Sequence, residues 1–122
     1  MRELLAIAER ERIQAGWVLT GVGSLSRATL RLAGAARHAR LEGDLEIVAL
    51  VGTLAQGGSH LHLAVADDHG TTVGGHLTNG CVVRTTAEVV VGADDRLRFD
   101  REPDPETGYD ELIVRHAEGS PA

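Results

Sequence analysis

Four of the six histidines of this 122-residue chain fall in one stretch, Ser59 to Gly80, which reads SHLHLAVADDHGTTVGGHLTNG. Three of them, His60, His62 and His76, have the spacing to meet on one face of a β-hairpin. Strand alternation sends Leu61, Leu63 and Val65 to one side and His60, His62 and Ala64 to the other. Asp68-His69-Gly70 reads as a three-residue hairpin loop, with Gly70 at the left-handed position. That loop pairs Asp67 with Thr71, and so places His62 directly across from His76. Opposed residues share a face and lie about 4.5–5.5 Å apart. His60 follows one step along the same face. Three imidazoles so placed can converge on one divalent ion and leave a fourth position open. Imidazole nitrogen suits zinc, copper, nickel and iron, and zinc is the expected occupant. A lone strand histidine is usually just a satisfied polar side chain; here the turn supplies an independent reason for three to converge. His38, His69 and His116 lie in loop or tail contexts and read as surface residues.

The elements that must position these residues follow from periodicity. Leu4, Leu5, Ile7, Ala8 and Ile13 recur at helical spacing, and Gly16 is placed to close that helix. Trp17 to Val22 reads as a strand and Ala28 to Leu32 as its return, with a loop or short turn over Ala33 to Leu41. Glu46 to Leu54 is a strand ending at a Gln56-Gly57-Gly58 turn. After the histidine hairpin comes a strand over Val82 to Val91. The segment Gly21-Val22-Gly23-Ser24 is glycine-rich but does not open a helix as a phosphate-binding loop would. Asn79-Gly80 poses a conflict. As a two-residue hairpin it would put Arg84, Thr86 and Glu88 on the face of Leu61 and Leu63. Either a bulge or crossover intervenes, or the histidine face is itself partly buried; a crossover is favoured. Asp100 to Asp110 is expected to be a charged, solvated loop around Pro103 and Pro105, followed by a short strand over Glu111 to Arg115.

HLHLAVADDHGTTVGGHL, VVRTTAEVVV and FDREPDPETGYDEL occur in that order, and GVGSLSRATLRL lies near the start. This series resembles the bacterial branch of the PPC family, the plants and prokaryotes conserved domain, also called DUF296 or PD1-like. The resemblance runs from the N-terminal helix to Leu112. It implies an α+β fold: a single domain over residues 1–116, with a mainly antiparallel sheet and an N-terminal helix packed on it; residues 117–122 are expected to be a disordered tail, as chain ends fray. It also implies a homotrimer, and a metal on the histidines matching His60, His62 and His76. Family members usually carry an extra strand before the helix, whereas this chain starts directly at the helix. In plants the domain accompanies an AT-hook, and bacterial members are often called DNA-binding by that association. No Arg-Gly-Arg-Pro run occurs here.

Composition narrows the function further. The net charge is −6 and all twelve basic residues are arginine. A net acidic domain is a poor phosphate-backbone binder, so duplex DNA binding by the isolated domain is expected to be weak. Trp17, Phe99 and Tyr109 are the sole aromatics of the Phe, Trp and Tyr class. A core of Val, Leu, Ile and Ala alone favours sharing a surface between subunits. The single Cys81 excludes an intramolecular disulfide and reads as a small buried residue. No apolar run approaches the ~18 residues of a membrane span, and the chain reads as cytoplasmic with no membrane partner.

Two functional classes remain ahead of sequence-specific DNA binding. The first is a homotrimeric binding module that holds zinc or another divalent metal and acts through a small molecule or protein partner. The alternative is a metal-dependent enzyme acting on a small molecule through a metal-bound water acidified toward neutral pH. The enzyme needs a general base, for which Glu88 is the candidate if the chain crosses back over the site, and Arg101 is the candidate for positioning an anion. No Ser-His-Asp order or paired-carboxylate spacing supports metal-free catalysis.

Overall fold

The computed structural model describes residues 1–34 and 36–119; the last three residues of the expected tail, 120–122, lie outside the described residues. The elements are α1 (Arg2–Arg10), β1 (Gly16–Arg31), β2 (His38–Ala55), β3 (Gly58–Ala66), β4 (Thr72–Leu77), β5 (Val82–Ala93), β6 (Leu97–Pro103) and β7 (Asp110–His116). One helix on a mainly antiparallel sheet is the α+β arrangement expected from the sequence.

The helix is shorter than its apolar spacing suggests. It ends at Arg10, with Glu11 as its C-cap, and Arg12 takes the left-handed turn at φ 55°. The Ile13 amide then reaches back to the Ala8 carbonyl at 2.8 Å. Gly16 does not close the helix but opens β1. A Cβ there would stand 2.7 Å from Ile13 Cγ2 and 2.9 Å from the Leu54 carbonyl oxygen. Its role is to let strand and helix connection approach closely. Ala8 is fully buried, and Met1 and Leu4 pack against the core.

Strand order in the main sheet is β2-β3-β4-β1-β5, and β1 also pairs with β2. The pairings therefore run β1–β2–β3–β4 and back to β1, closing a ring, with β5 continuing outward from β1. The two short strands expected at Trp17–Val22 and Ala28–Leu32 are one strand, because its register shifts are absorbed as bulges. Gly23, at φ 146°, is one such point. The loop expected over Ala33 to Leu41 is likewise shorter, since β2 starts at His38.

The crossover is present. Thr78 turns the chain across the end of β1, with its amide and hydroxyl both donating to the Thr29 carbonyl at 3.3 and 2.7 Å. β5 then runs antiparallel to β1, not to β4. Cys81 lies in this corner, half-buried rather than fully buried, and its sulfur accepts the Thr29 N–H at 3.3 Å.

The core lies inside the ring. Leu30, Leu61 and Val65 are essentially inaccessible, with Leu45, Leu50 and Leu63 around them. Burying each such side chain contributes roughly 1.5–3 kcal/mol. The acidic segment expected to be a loop from Asp100 to Asp110 is strand at its ends: β6 and β7 pair from Leu97↔His116 to Pro103↔Asp110. Phe99 pairs with Val114 across this ladder, and exposed ion pairs line it. Arg98 and Arg115 both bind Asp100, at 2.9 and 3.1 Å, and Arg115 also binds Glu102. Pro103 is tolerated at the last rung. The true loop is residues 104–109, where Asp104 Oδ1 accepts the amides of Glu106 and Thr107. The Ala117 amide bonds the Arg96 carbonyl at 2.9 Å, tying down the start of the expected tail.

Candidate metal centre

The β3–β4 hairpin forms with the register its turn dictates. The Asp67 amide donates to the Thr71 carbonyl at 3.0 Å, and Asp67 Oδ1 accepts the amides of His69 and Thr71, both at 2.9 Å. Gly70 sits at φ 79°. The ladder then pairs Ala66↔Thr72, Ala64↔Gly74 and His62↔His76. Leu61, Leu63 and Val65 point into the ring, which turns His60, His62 and His76 to its outer face.

The three imidazoles meet there. Ring centroids are 4.5 Å apart for His62 and His76, 4.8 Å for His60 and His76, and 5.1 Å for His60 and His62. One nitrogen from each lies within 4.8 Å of the others. Zinc–nitrogen bonds of about 2.0–2.1 Å in a tetrahedron ask for nitrogens about 3.3 Å apart. Modest side-chain rotation closes that gap, because His60 and His62 are exposed and free to turn. Partial desolvation against its neighbours lowers the His60 pKa from its usual value, with His62 and Arg101 adding to the effect and Glu111 opposing it. Burial likewise lowers His76, helped by Arg31 and then by the other two histidines. Both shifts favour the neutral form that binds metal. The donor set fits a divalent ion of zinc type.

Other elements bring charge to the site. Arg31, the last residue of β1, pairs with His76 across the β1–β4 ladder. Arg101 of β6 reaches over from the second sheet, and its Nη2 donates to Thr53 Oγ1 at 2.8 Å. Thr53 itself pairs with His60. A cleft of about 690 Å³ joins Arg31, His60, His76, Arg101, Asp110 and Glu111. Glu88 does not join them. It lies on β5 opposite Val22, because β5 crosses to the far side of β1, and it lines none of the cavities around the histidines. His69 is at the exposed hairpin tip, beside Asp68. Arg31 and Glu111 are residues the sequence did not single out. Their signal is topological: only the β1–β4 pairing and the β6–β7 hairpin bring them here.

An N-terminal helix on a closed antiparallel sheet, with histidines on the outer face of one hairpin, defines a small α+β domain class. Residues 1–94 match the Plants and Prokaryotes Conserved (PCC) domain, and the chain belongs to that family. A hypothetical protein from Salmonella cholerae-suis (Salmonella enterica) superposes with a TM-score of 0.92 at 42% identity, over 94% of this chain and 83% of that one. A candidate DNA-binding protein from Ralstonia eutropha JMP134 gives 0.81 at 27% identity, over 93% and 83%. A metal-containing protein from Archaeoglobus fulgidus shares the fold, with a TM-score of 0.71 at 22% identity, over 92% and 83%. In sequence, the chain is 51% and 53% identical to the bifunctional protein GlmU of two Synechococcus strains, JA-2-3B'a(2-13) and JA-3-3Ab. Each match covers 98% of this chain, and the chain spans only about a fifth of those relatives' length (19% and 20%).

Proposed function

We propose that this chain is a homotrimeric binding module that holds one divalent metal, zinc foremost, on His60, His62 and His76. The observation that carries this reading is the convergence of three imidazole nitrogens within 4.8 Å on the outer face of one hairpin. The metal would supply a Lewis-acidic position open to a ligand from the cleft. The match to a fifth of a larger bifunctional protein supports a module that works beside other activities. Trimer formation is supported by apolar side chains left uncovered: Leu19, Val22 and Val90 on the β1–β5 pair are each more than half exposed. Zinc titration of chelator-treated protein, followed by calorimetry, tests the reading. One ion per chain is expected, and absence of saturable binding would refute it.

A metal-dependent hydrolase is the second reading, and one observation favours it. Glu111 lines the same cavities as His60 and Arg101, so a carboxylate able to take a proton stands where Glu88 does not. Loss of a hydrolytic activity in Glu111→Gln with metal retained would raise this reading above the first. Duplex DNA ranks third. Arg10, Arg27, Arg40, Arg84, Arg96, Arg98 and Arg115, seven of the twelve arginines, are engaged by carboxylates, and the net charge is −6, which weighs against a counterion-releasing surface.

A further inference from the structure

Arg31 and Arg101 lie outside that paired set and are the two arginines that line the cleft beside the histidines. Neither guanidinium has a carboxylate partner among the described residues, although both line a cleft that contains Asp110 and Glu111. They approach the histidines from opposite sides. Arg31 comes from β1 in register with His76, and Arg101 comes from β6 over Thr53 and His60. The first approach depends on Gly75, where a Cβ would stand 2.6 Å from the Arg31 carbonyl oxygen. Any side chain there would push β1 away from β4. The second is fixed by the hydrogen bond to Thr53, which uses one of five guanidinium donors and leaves the others for a ligand.

Charge decides what such a ligand is. In the cleft the two arginines are matched by Asp110 and Glu111, and the histidines are neutral as metal ligands. A bound divalent ion leaves the cleft with a net charge of about +2, concentrated between two unpaired guanidinium forks. We infer that the cleft seats a small oxyanion-bearing molecule, held by Arg31 and Arg101 on either side of the open metal position. Carboxylate and phosphate each present a pair of neighbouring oxygens that an arginine fork grips bidentately. This inference rests on the metal reading, since the ion supplies the excess positive charge.

The test is calorimetric titration of zinc-loaded protein with inorganic phosphate and, separately, with malonate. The proteins are wild type, Arg31→Gln, Arg101→Gln, Arg101→Lys and Arg84→Gln, with zinc content measured on each sample. One of the two anions is expected to bind, and the stronger one identifies the oxyanion class. Arg31→Gln and Arg101→Gln should each weaken it about tenfold, in line with loss of a charge-assisted hydrogen bond. Zinc per chain should stay unchanged. Arg101→Lys should fall between, keeping charge but losing the fork, and Arg84→Gln, bound to Asp44 elsewhere, should match wild type. If zinc binds but neither anion does, or the arginine replacements change nothing, the seat is wrong and the metal reading stands. If wild type takes up no zinc, the cleft lacks the excess positive charge that the seat requires, and both readings fall together.

Discussion

Gly52→Ala probes the joint that holds the histidine strand against its neighbour. Gly52 lies opposite Leu61 in the β2–β3 ladder, at φ 134°. A Cβ at this position would stand 2.0 Å from the His60 carbonyl oxygen and 2.9 Å from Leu61 Cα. Both obstacles are backbone, so no side-chain rotation relieves them. The β3 chain must retreat by roughly 1 Å to restore ordinary contact, and Leu61, 1% exposed, moves with it. The unfavourable φ costs about 1–3 kcal/mol. One or two weakened ladder bonds add about 0.5–1.5 kcal/mol each. The sum is about 1.5–6 kcal/mol, enough to lower the melting temperature by roughly 5 °C or more. Gly43→Ala is the control. Gly43 has φ 128° but nothing within 4 Å of its Cβ position, so it carries the backbone strain without the collision. Urea unfolding of both variants, metal-free, isolates the collision term, and zinc titration reports the displacement of His60. If Gly52→Ala is no less stable than Gly43→Ala, or binds zinc as wild type does, the packing argument is refuted.

Stability should also respond to pH through His60 and His76. Their pKa values are lowered in the fold, so between those values and about 6.5 the unfolded chain binds more protons. The contribution is fully present above 6.5 and is lost as pH falls through the folded values. The urea midpoint of metal-free protein should therefore drop from pH 7.5 to 5.5, and less so in His60→Gln/His76→Gln. Asp94, held at about 2 by Arg96, acts only below about pH 4 and stays clear of this window. Light scattering should report three chains for wild type and a smaller species for Leu19→Asp/Val90→Asp; an unchanged mass would exclude this patch as the contact. Duplex DNA should bind weakly at physiological salt, and submicromolar, sequence-dependent binding in a mobility-shift assay would overturn the charge argument.

The histidine cluster was legible because its register is set locally. Asp67 and Gly70 fix a turn that admits one pairing, and alternation does the rest. The helix and the strand cores were visible for the same reason. Long-range order was not. Nothing in the period of Trp17 to Leu32 records that Gly23 is a bulge inside one long strand. The crossover at Thr78 was forced by a clash of faces, but its destination beside β1 was not, which is why Glu88 lies far from the site. The β6 half of the second hairpin was hidden because Leu97 and Phe99 are its only large apolar residues, and Pro103 and Pro105 follow closely. Arg31 and Glu111 reach the site only through those unseen pairings.

Metal content measured by mass spectrometry, on wild type, His62→Ala and His69→Ala purified without added metal, tests the central claim most directly. His62 faces His76 across the ladder and lies within 5.1 Å of both other rings, whereas His69 is exposed at the hairpin tip. One divalent ion per chain is expected in wild type and in His69→Ala, with none retained stoichiometrically in His62→Ala. A His62→Ala protein that keeps one metal per chain, or a His69→Ala protein that loses it, would contradict the three-histidine site.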